Sequence, residues 1–369
     1  MQGGIALRNV RLVCGLILMA FVTCHLANLI LGVRSLAAME AWRPFLMGPW
    51  RSLPGVALLA GAALVHIALG LYAISARRSL TLSRTDVVQM FLGVLTPPLL
   101  LEHAVAMYVA GEVTPNFDST FGQMLAVYWS FSPRYAFQQL AVVMVVWIHA
   151  AVGLYSWLVL RPSWGRVGGL VLPVLFAIPI LALVGFAEVG KEVLARLETD
   201  PAWRAHIIAN LGKVAKATRP LEEMQTRVLV FYGALVAVAF GFFGWRLLRD
   251  RMTRVRVAYD GGLAAEGRRG LSILELSLAA DVPHAHVCSG RARCGTCRVR
   301  VAAGAEGLSP MQEIERRTLE RVGAEPADRL ACQARVLGDG VSVMRLLPAY
   351  ADASAARDPQ EWIAQKEAA

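Results

Sequence analysis

The chain has 369 residues, 56% hydrophobic and 17% charged, with a formal net charge of +10. So apolar a composition excludes an ordinary soluble globule and points to a membrane protein. The charge does not describe a nucleic-acid surface: residues 1–249 hold 20 basic against 11 acidic side chains, the excess flanking apolar segments, whereas 17 stand against 16 from Asp250 onward.

In chain order, six apolar segments are long enough to cross a hydrocarbon core, which takes about 20 helical residues. They run approximately 9–33, 54–76, 87–110, 137–160, 166–188 and 227–248. The first is too long for a signal-peptide core and lacks a convincing cleavage site, so it reads as a retained helix. Arg8 and Arg11, then Arg77, Arg78 and Arg84, then Arg161 and Arg166, then Arg246, Arg249, Arg251, Arg254 and Arg256 collect at alternate span ends. The opposite loops, near 34–53 and 111–136, are sparser in basic residues, and 189–226 reads as a longer loop of mixed charge. This bias predicts cytoplasmic termini. Trp42, Trp50, Trp129 and Trp164 near span ends read as interfacial anchors, and Cys14 and Cys24 as small buried side chains.

Four of the seven histidines fall one per span in the first four spans: His25, His66, His103 and His149. The wording LVHIALGLY at 64–72 returns as WIHAAVGLY at 147–155, which suggests an internal duplication of a helical hairpin. At 1.5 Å rise per residue, His66 lies about 17 Å from Arg77 and His149 about 18 Å from Arg161, which places both at one depth near the basic side. His25 lies roughly 21 Å from Arg11 and His103 roughly 28 Å from Arg84, nearer the other side, with Pro97 and Pro98 expected to bend that helix. Histidines paired by depth across a helix bundle are what six-coordinate haem iron needs, one neutral imidazole above the macrocycle and one below. Gly70 and Gly153, four residues after His66 and His149, are expected to let a porphyrin approach the backbone, and Arg77, Arg78 and Arg161 to meet haem propionates. The competing reading makes the histidines polar glue between helices; one per helix, paired by depth, fits it less well. Glu102 and Glu188 are candidates for proton or quinone contacts, or solvated carboxylates.

After about residue 250 the composition turns to that of a soluble domain. A strand is expected near 253–259, a turn at Asp260-Gly261-Gly262, a helix near 272–280, a strand at 297–302, a helix near 310–322, and strands around 329–336 and 341–346. Between them lies CSGRARCGTC at 288–297, and Cys332 follows in RLACQARV. Cys288, Cys294, Cys297 and Cys332 supply four thiolates for a [2Fe–2S] cluster, three from one wrapping loop and one from afar. Structural zinc prefers two short paired motifs, and disulfides are out of place in a cytoplasmic domain. Arg291, Arg293, Arg298 and Arg300 form a candidate docking surface for an acidic partner. His284 and His286 read as exposed loop residues.

These motifs carry three resemblances. CSGRARCGTCRVRV with RLACQARV resembles [2Fe–2S] ferredoxins of the plant or adrenodoxin type over roughly residues 252–347, which implies a β-grasp fold. The histidine pattern resembles the di-haem cytochrome b anchor of succinate dehydrogenase and fumarate reductase. That implies two b haems, on His25 with His103 and His66 with His149, and quinone chemistry in a bacterial inner (cytoplasmic) membrane. The union of a six-helix haem anchor with a C-terminal ferredoxin is similar to the sensor half of bacterial membrane-anchored class III adenylate cyclases, which implies a homodimer.

The expected fold is therefore a membrane all-α six-helix bundle over residues 1–250 and a soluble α+β β-grasp domain over 251–348. Residues 349–369 are expected to begin a linker or coupling helix. No stretch after 350 is long enough for a cyclase's metal-binding aspartates, so these residues do not themselves make a cyclic nucleotide. The expected function is a membrane redox sensor passing electrons between the quinone pool, two haems and the cluster to regulate an attached cyclase. The alternatives are a self-standing quinone-linked oxidoreductase with a soluble redox partner, and a transporter or structural anchor. Membrane lipid, quinone and an output domain are the expected partners, and nucleic acid is not among them.

Overall fold

A computed structural model describes residues 3–77, 84–249, 253–352 and 354–355. The chain opens with α1 (Gly3–Ile30), which passes through a short 3-10 turn into α2 (Leu36–Arg51). Ser35 caps α2 by accepting from Ala38 N at 3.1 Å, and Ser52 caps α3 (Leu53–Ser75), with Pro54 in the first turn where its missing N–H costs nothing. Next come α4 (Arg84–Ala104), a π-helical turn at Val105–Val109, α5 (Ala110–Val113), α6 (Phe121–Ala126) and a second π-helical turn at Val127–Phe131. Then follow α7 (Arg134–Leu158), α8 (Trp164–Thr199) and α9 (Pro201–Arg249). Pro97 and Pro98 do not interrupt α4, which runs through both.

Among the described residues, six helical stretches are long and apolar enough to cross a membrane: Leu7–Val33, Leu53–Ser75, Arg84–Ala104, Arg134–Leu158, Trp164–Thr199 and Ala217–Leu248. Their outer faces carry bare apolar side chains, among them Phe176 and Phe231, as lipid contact requires. The region 189–226, expected as a loop, is helical instead. There α8 continues to Thr199, Asp200 accepts from Trp203 N at 2.9 Å to cap α9, and α9 starts at once. The extensions are held by a buried core that includes Leu36, Met39, Leu125, Phe186, Val193 and Ile207, so the end of the helices away from the C-terminal domain carries a packed cap. We call this the far end, and the end bearing Arg8, Arg77 and Leu160 the near end.

Two helix pairs dominate the packing of the first four spans, α1 along α3 and α4 along α7. Among the described residues neither α1 with α4 nor α3 with α7 forms a packed pair, which leaves a slot between the two hairpins.

The C-terminal domain is a five-stranded mixed sheet in the order β2-β1-β5-β3-β4. β1 (Arg254–Tyr259) turns through Asp260–Gly262 into antiparallel β2 (Ala264–Arg268) and pairs in parallel with β5 (Val341–Arg345). β3 (Arg298–Ala303) lies antiparallel to β5 and to β4 (Asp328–Leu330). Val255, Val257 and Tyr259 alternate inward along β1, with α10 (Ile273–Ala279), begun by a Ser272–Glu275 capping box, packed over the sheet. α11 (Glu313–Arg321) covers β4, where buried Glu315 takes Arg329 Nε at 2.8 Å and Leu330 N at 2.9 Å. The strand expected over 329–336 ends at Leu330, because the chain turns there to present Cys332. Residues 335 and 336 make only isolated bridges.

Candidate functional site

The cysteine loop is built by backbone conformations that side chains usually avoid. Gly290 and Gly295 sit at φ +78° and +77°, and Ser289 and Ala292 also take positive φ, which coils the chain tightly around the sulfurs. Ala331 N donates to Cys297 O at 2.9 Å and pins the fourth cysteine's turn against the loop. Cys288, Cys294, Cys297 and Cys332 are all buried free thiols. They form two pairs: Cys288 lies with Cys294 under Leu160, and Cys297 shares the domain core with Cys332. Its neighbour Cys294 and the loop amides hold Cys288 below the usual thiol range against the opposing effect of burial, while Cys294 and Cys297 are pushed up by their partners and by burial.

Thr296 Oγ1 lies 3.1 Å from Cys294 Sγ, and Gln333 Nε2 donates to Cys332 Sγ at 3.4 Å. Among the described residues no three metal-binding side chains meet at a single point. Two dithiol pairs suit a binuclear centre, with two thiolates to each metal, better than a single tetrahedral ion.

This loop faces the near end of the helices. Arg8 Nη1 donates to Arg291 O at 2.9 Å, Arg291 Nη2 binds Asp86 Oδ1 at 2.6 Å, and Arg77 reaches the same carboxylate at 3.8 Å. Leu160, just beyond α7, packs on Cys288 and Cys294. Burial, then the charges of Arg8 and Arg291, bring Arg293 down to about 10. The arginine patch expected to receive an acidic partner is thus engaged within the chain. Arg298 is buried and donates to Val322 O at 2.9 Å, and Arg300 pairs with Asp328 at 2.9 Å and Glu325 at 2.7 Å.

The four histidines meet in the pairs that depth predicts. His66 of α3 and His149 of α7 stand perpendicular with ring centroids 6.2 Å apart; His25 of α1 and His103 of α4 are 5.9 Å apart at 68°. Each pair bridges the slot between the hairpins. At that spacing the two imidazoles of each pair would have room to hold one metal atom between them.

His66 Nδ1 donates to Arg11 O at 3.1 Å and His149 Nδ1 to Gln89 O at 3.2 Å. A carbonyl takes the proton of one nitrogen and leaves Nε2 its lone pair, the tautomer a metal ligand needs. Nδ1 of His25 and of His103 is buried without a hydrogen-bond partner.

Two glycines make the close approach possible. A methyl on Gly15 would lie 3.0 Å from His66 Cε1, and one on Gly93 2.9 Å from His149 Cε1. Gly15 stands four residues after Arg11 and ten before His25; Gly93 stands in the same relation to Gln89 and His103. The repeat lies in the sequence as G-x9-H, but without the fold nothing marks those glycines as neighbours of the other histidines. Of the glycines expected to face a porphyrin, Gly70 borders open space, and a methyl on Gly153 would lie 3.1 Å from Gln89 Nε2.

Other expected residues fall elsewhere. Arg77 is at the junction through Asp86, Arg161 is exposed over the Trp157 ring at 4.8 Å, and Arg78 lies outside the described residues, as does nearly all of the expected coupling helix. Glu188 lies within α8, exposed and paired with Lys191 at 2.7 Å. Trp129 packs against Gly190 and Phe186. His284 is buried, not exposed, and hydrogen-bonds Ser277 at 3.0 Å; burial brings it down to about 4.

An iron–sulfur fold with four buried thiols, set against membrane-capable helices, defines an electron-transfer protein. Residues 260–337 match the 2Fe-2S iron–sulfur cluster binding domain family. The 2Fe-2S ferredoxin-5 of Aquifex aeolicus (strain VF5) is 33% identical over 82 residues, 22% of this chain and 85% of the relative. The 2Fe-2S ferredoxin of Pseudomonas aeruginosa is 34% identical over 83 residues, 22% of this chain and 74% of the relative. The crystal structure of the ISC-like [2Fe-2S] ferredoxin from Pseudomonas putida JCM 20004 is similar at 28% identity, over 27% of this chain and 94% of that one, with a TM-score of 0.23. Through its C-terminal domain the chain belongs to the [2Fe–2S] ferredoxin family.

Proposed function

We propose that the chain is a membrane-embedded electron relay, joining two b haems in a six-helix bundle to a β-grasp [2Fe–2S] domain on the cytoplasmic face of a bacterial inner membrane. The observation that carries it is the alignment of three donor sets: the His25/His103 pair, the His66/His149 pair, and a cysteine loop seated on the end nearer the second. The haems and the cluster, when bound, supply one-electron carriers; the protein's part is to hold and insulate them. His25 with His103 and His66 with His149 would hold the two haems, and Cys288, Cys294, Cys297 and Cys332 would hold the cluster. His149 stands eleven residues before Leu160, so α7 links the inner pair to the cysteine loop over about 17 Å.

Quinone is the membrane substrate in this reading. At the far end the Tyr128 hydroxyl and Trp129 indole N–H are buried with no hydrogen-bond partner among the described residues, on the second π-helical turn, donors suited to a quinone's carbonyl oxygens. The occupied cysteine loop favours this internal relay over docking of a soluble redox partner there. The relay's redox state governs an output domain of the adenylate cyclase class in a homodimer, a step that rests on the resemblance of the whole architecture.

The testing experiment is an optical spectrum of the detergent-purified chain before and after dithionite, with a pyridine-haemochrome count. Two b haems per chain are expected. A chain without haem absorbance would leave only the iron–sulfur domain with a redox role.

A further inference from the structure

The junction between helices and C-terminal domain gathers more positive charge than its carboxylates balance. Arg77 and Arg291 share Asp86. Arg8 spends one donor on the Arg291 carbonyl, and among the described residues no carboxylate pairs with Arg8, Arg11 or Arg293. The Arg8 contact falls on the stretch between Cys288 and Cys294, the two side chains that Leu160 covers.

We propose that this arginine collar is a docking surface selective for the reduced iron–sulfur domain, so that the helices grip the cysteine loop more tightly once the cluster holds its extra electron. Reduction converts one cluster iron from Fe(III) to Fe(II), takes one electron from a one-electron donor and adds one negative charge to an already anionic centre. Guanidinium groups do not titrate in this range, so the collar's charge stays constant while the cluster's changes. Burial beneath Leu160 weakens solvent screening, and the added charge is felt strongly across the contact. Coupling is reciprocal: if reduction strengthens docking, docking makes the cluster easier to reduce. The undocked domain is then mainly the oxidised one. The inference rests on the iron–sulfur assignment and is independent of the haems.

The test is an EPR-monitored potentiometric titration of the full chain in detergent, with the cluster signal of the unmodified chain recorded first, so that a missing cluster is distinguished from missing coupling. The Arg8→Gln/Arg11→Gln double variant is expected to shift the cluster midpoint to a more negative potential. Arg316→Gln, on an exposed helix face of the same domain, leaves it in place. Coincident midpoints for unmodified chain and double variant, each with an intact signal, would overturn the proposal. Hydrogen exchange of the unmodified chain supplies a readout that needs no variant. Peptides from both sides of the junction, 286–293 and 156–163, are expected to exchange more slowly after reduction; equal or faster exchange would overturn it.

Discussion

His66 and His149 lie 6.2 Å apart between ring centroids, each with Nδ1 committed to a carbonyl on the neighbouring helix of its own hairpin. Gly15 and Gly93 leave the room that each ring occupies. On the proposed reading, replacing either histidine removes one of the two side chains that would hold the near-end haem. His66→Ala and His149→Ala are each expected to lower pyridine-haemochrome haem by about half, the far-end pair retaining its own. Undiminished haem in both variants would return these residues to a packing role.

Gly93→Val tests the glycine without touching a ligand. A methyl there already falls 2.9 Å from His149 Cε1, tighter than ordinary contact, and valine adds two more. The near-end haem should be lost or its spectrum shifted, while His25 and His103 keep theirs. Gly70→Val, facing open space, should do far less.

Cys297→Ser breaks one of the two dithiol pairs, leaving Cys332 without its partner. The [2Fe–2S] EPR signal should vanish, with the helical region and any haem absorbance retained. Survival of a normal signal would move the ligand assignment to another side chain.

Glu315 is fully buried and accepts both Arg329 and the Leu330 amide. Glu315→Ala strands a largely buried guanidinium and an amide together, a loss of about 3–5 kcal/mol. Chemical unfolding followed by visible circular dichroism of the cluster checks it; a change near zero would show that Arg329 finds another partner.

His284 carries a pH dependence whose sign follows from burial. Folded, it is brought down to about 4; unfolded, it returns to about 6.5. Between these values the unfolded chain binds more protons, so stability falls as pH drops from about 6.5 and levels off below about 4. His284→Gln should flatten that slope in thermal unfolding of the full chain.

Much of this was legible in the residues. Spans announce themselves by length and apolarity, and histidine depth predicts the pairs because a helix has a fixed rise. The cysteine spacing and the alternating valines of β1 likewise carry local rules. Relations between distant segments were not legible: the loop over 189–226 became helix because α8 and α9 pack on α6 and α2, a contact that no local pattern encodes. Arg291 was read as an exposed docking residue because its partner, Asp86, lies 205 positions away. His284 was misplaced for the same reason, its burial being set by Ser277 and Tyr259 on other elements.

The crossing of the slot by each histidine pair has a historical consequence. α1 and α3 supply His25 and His66, α4 and α7 supply His103 and His149, and each pair draws one member from each half. With Arg11–Gly15–His25 echoed by Gln89–Gly93–His103, the halves look like copies of one ancestor. A single such hairpin would have carried half of each site and none complete. Either half alone would need a second copy of itself to complete a site.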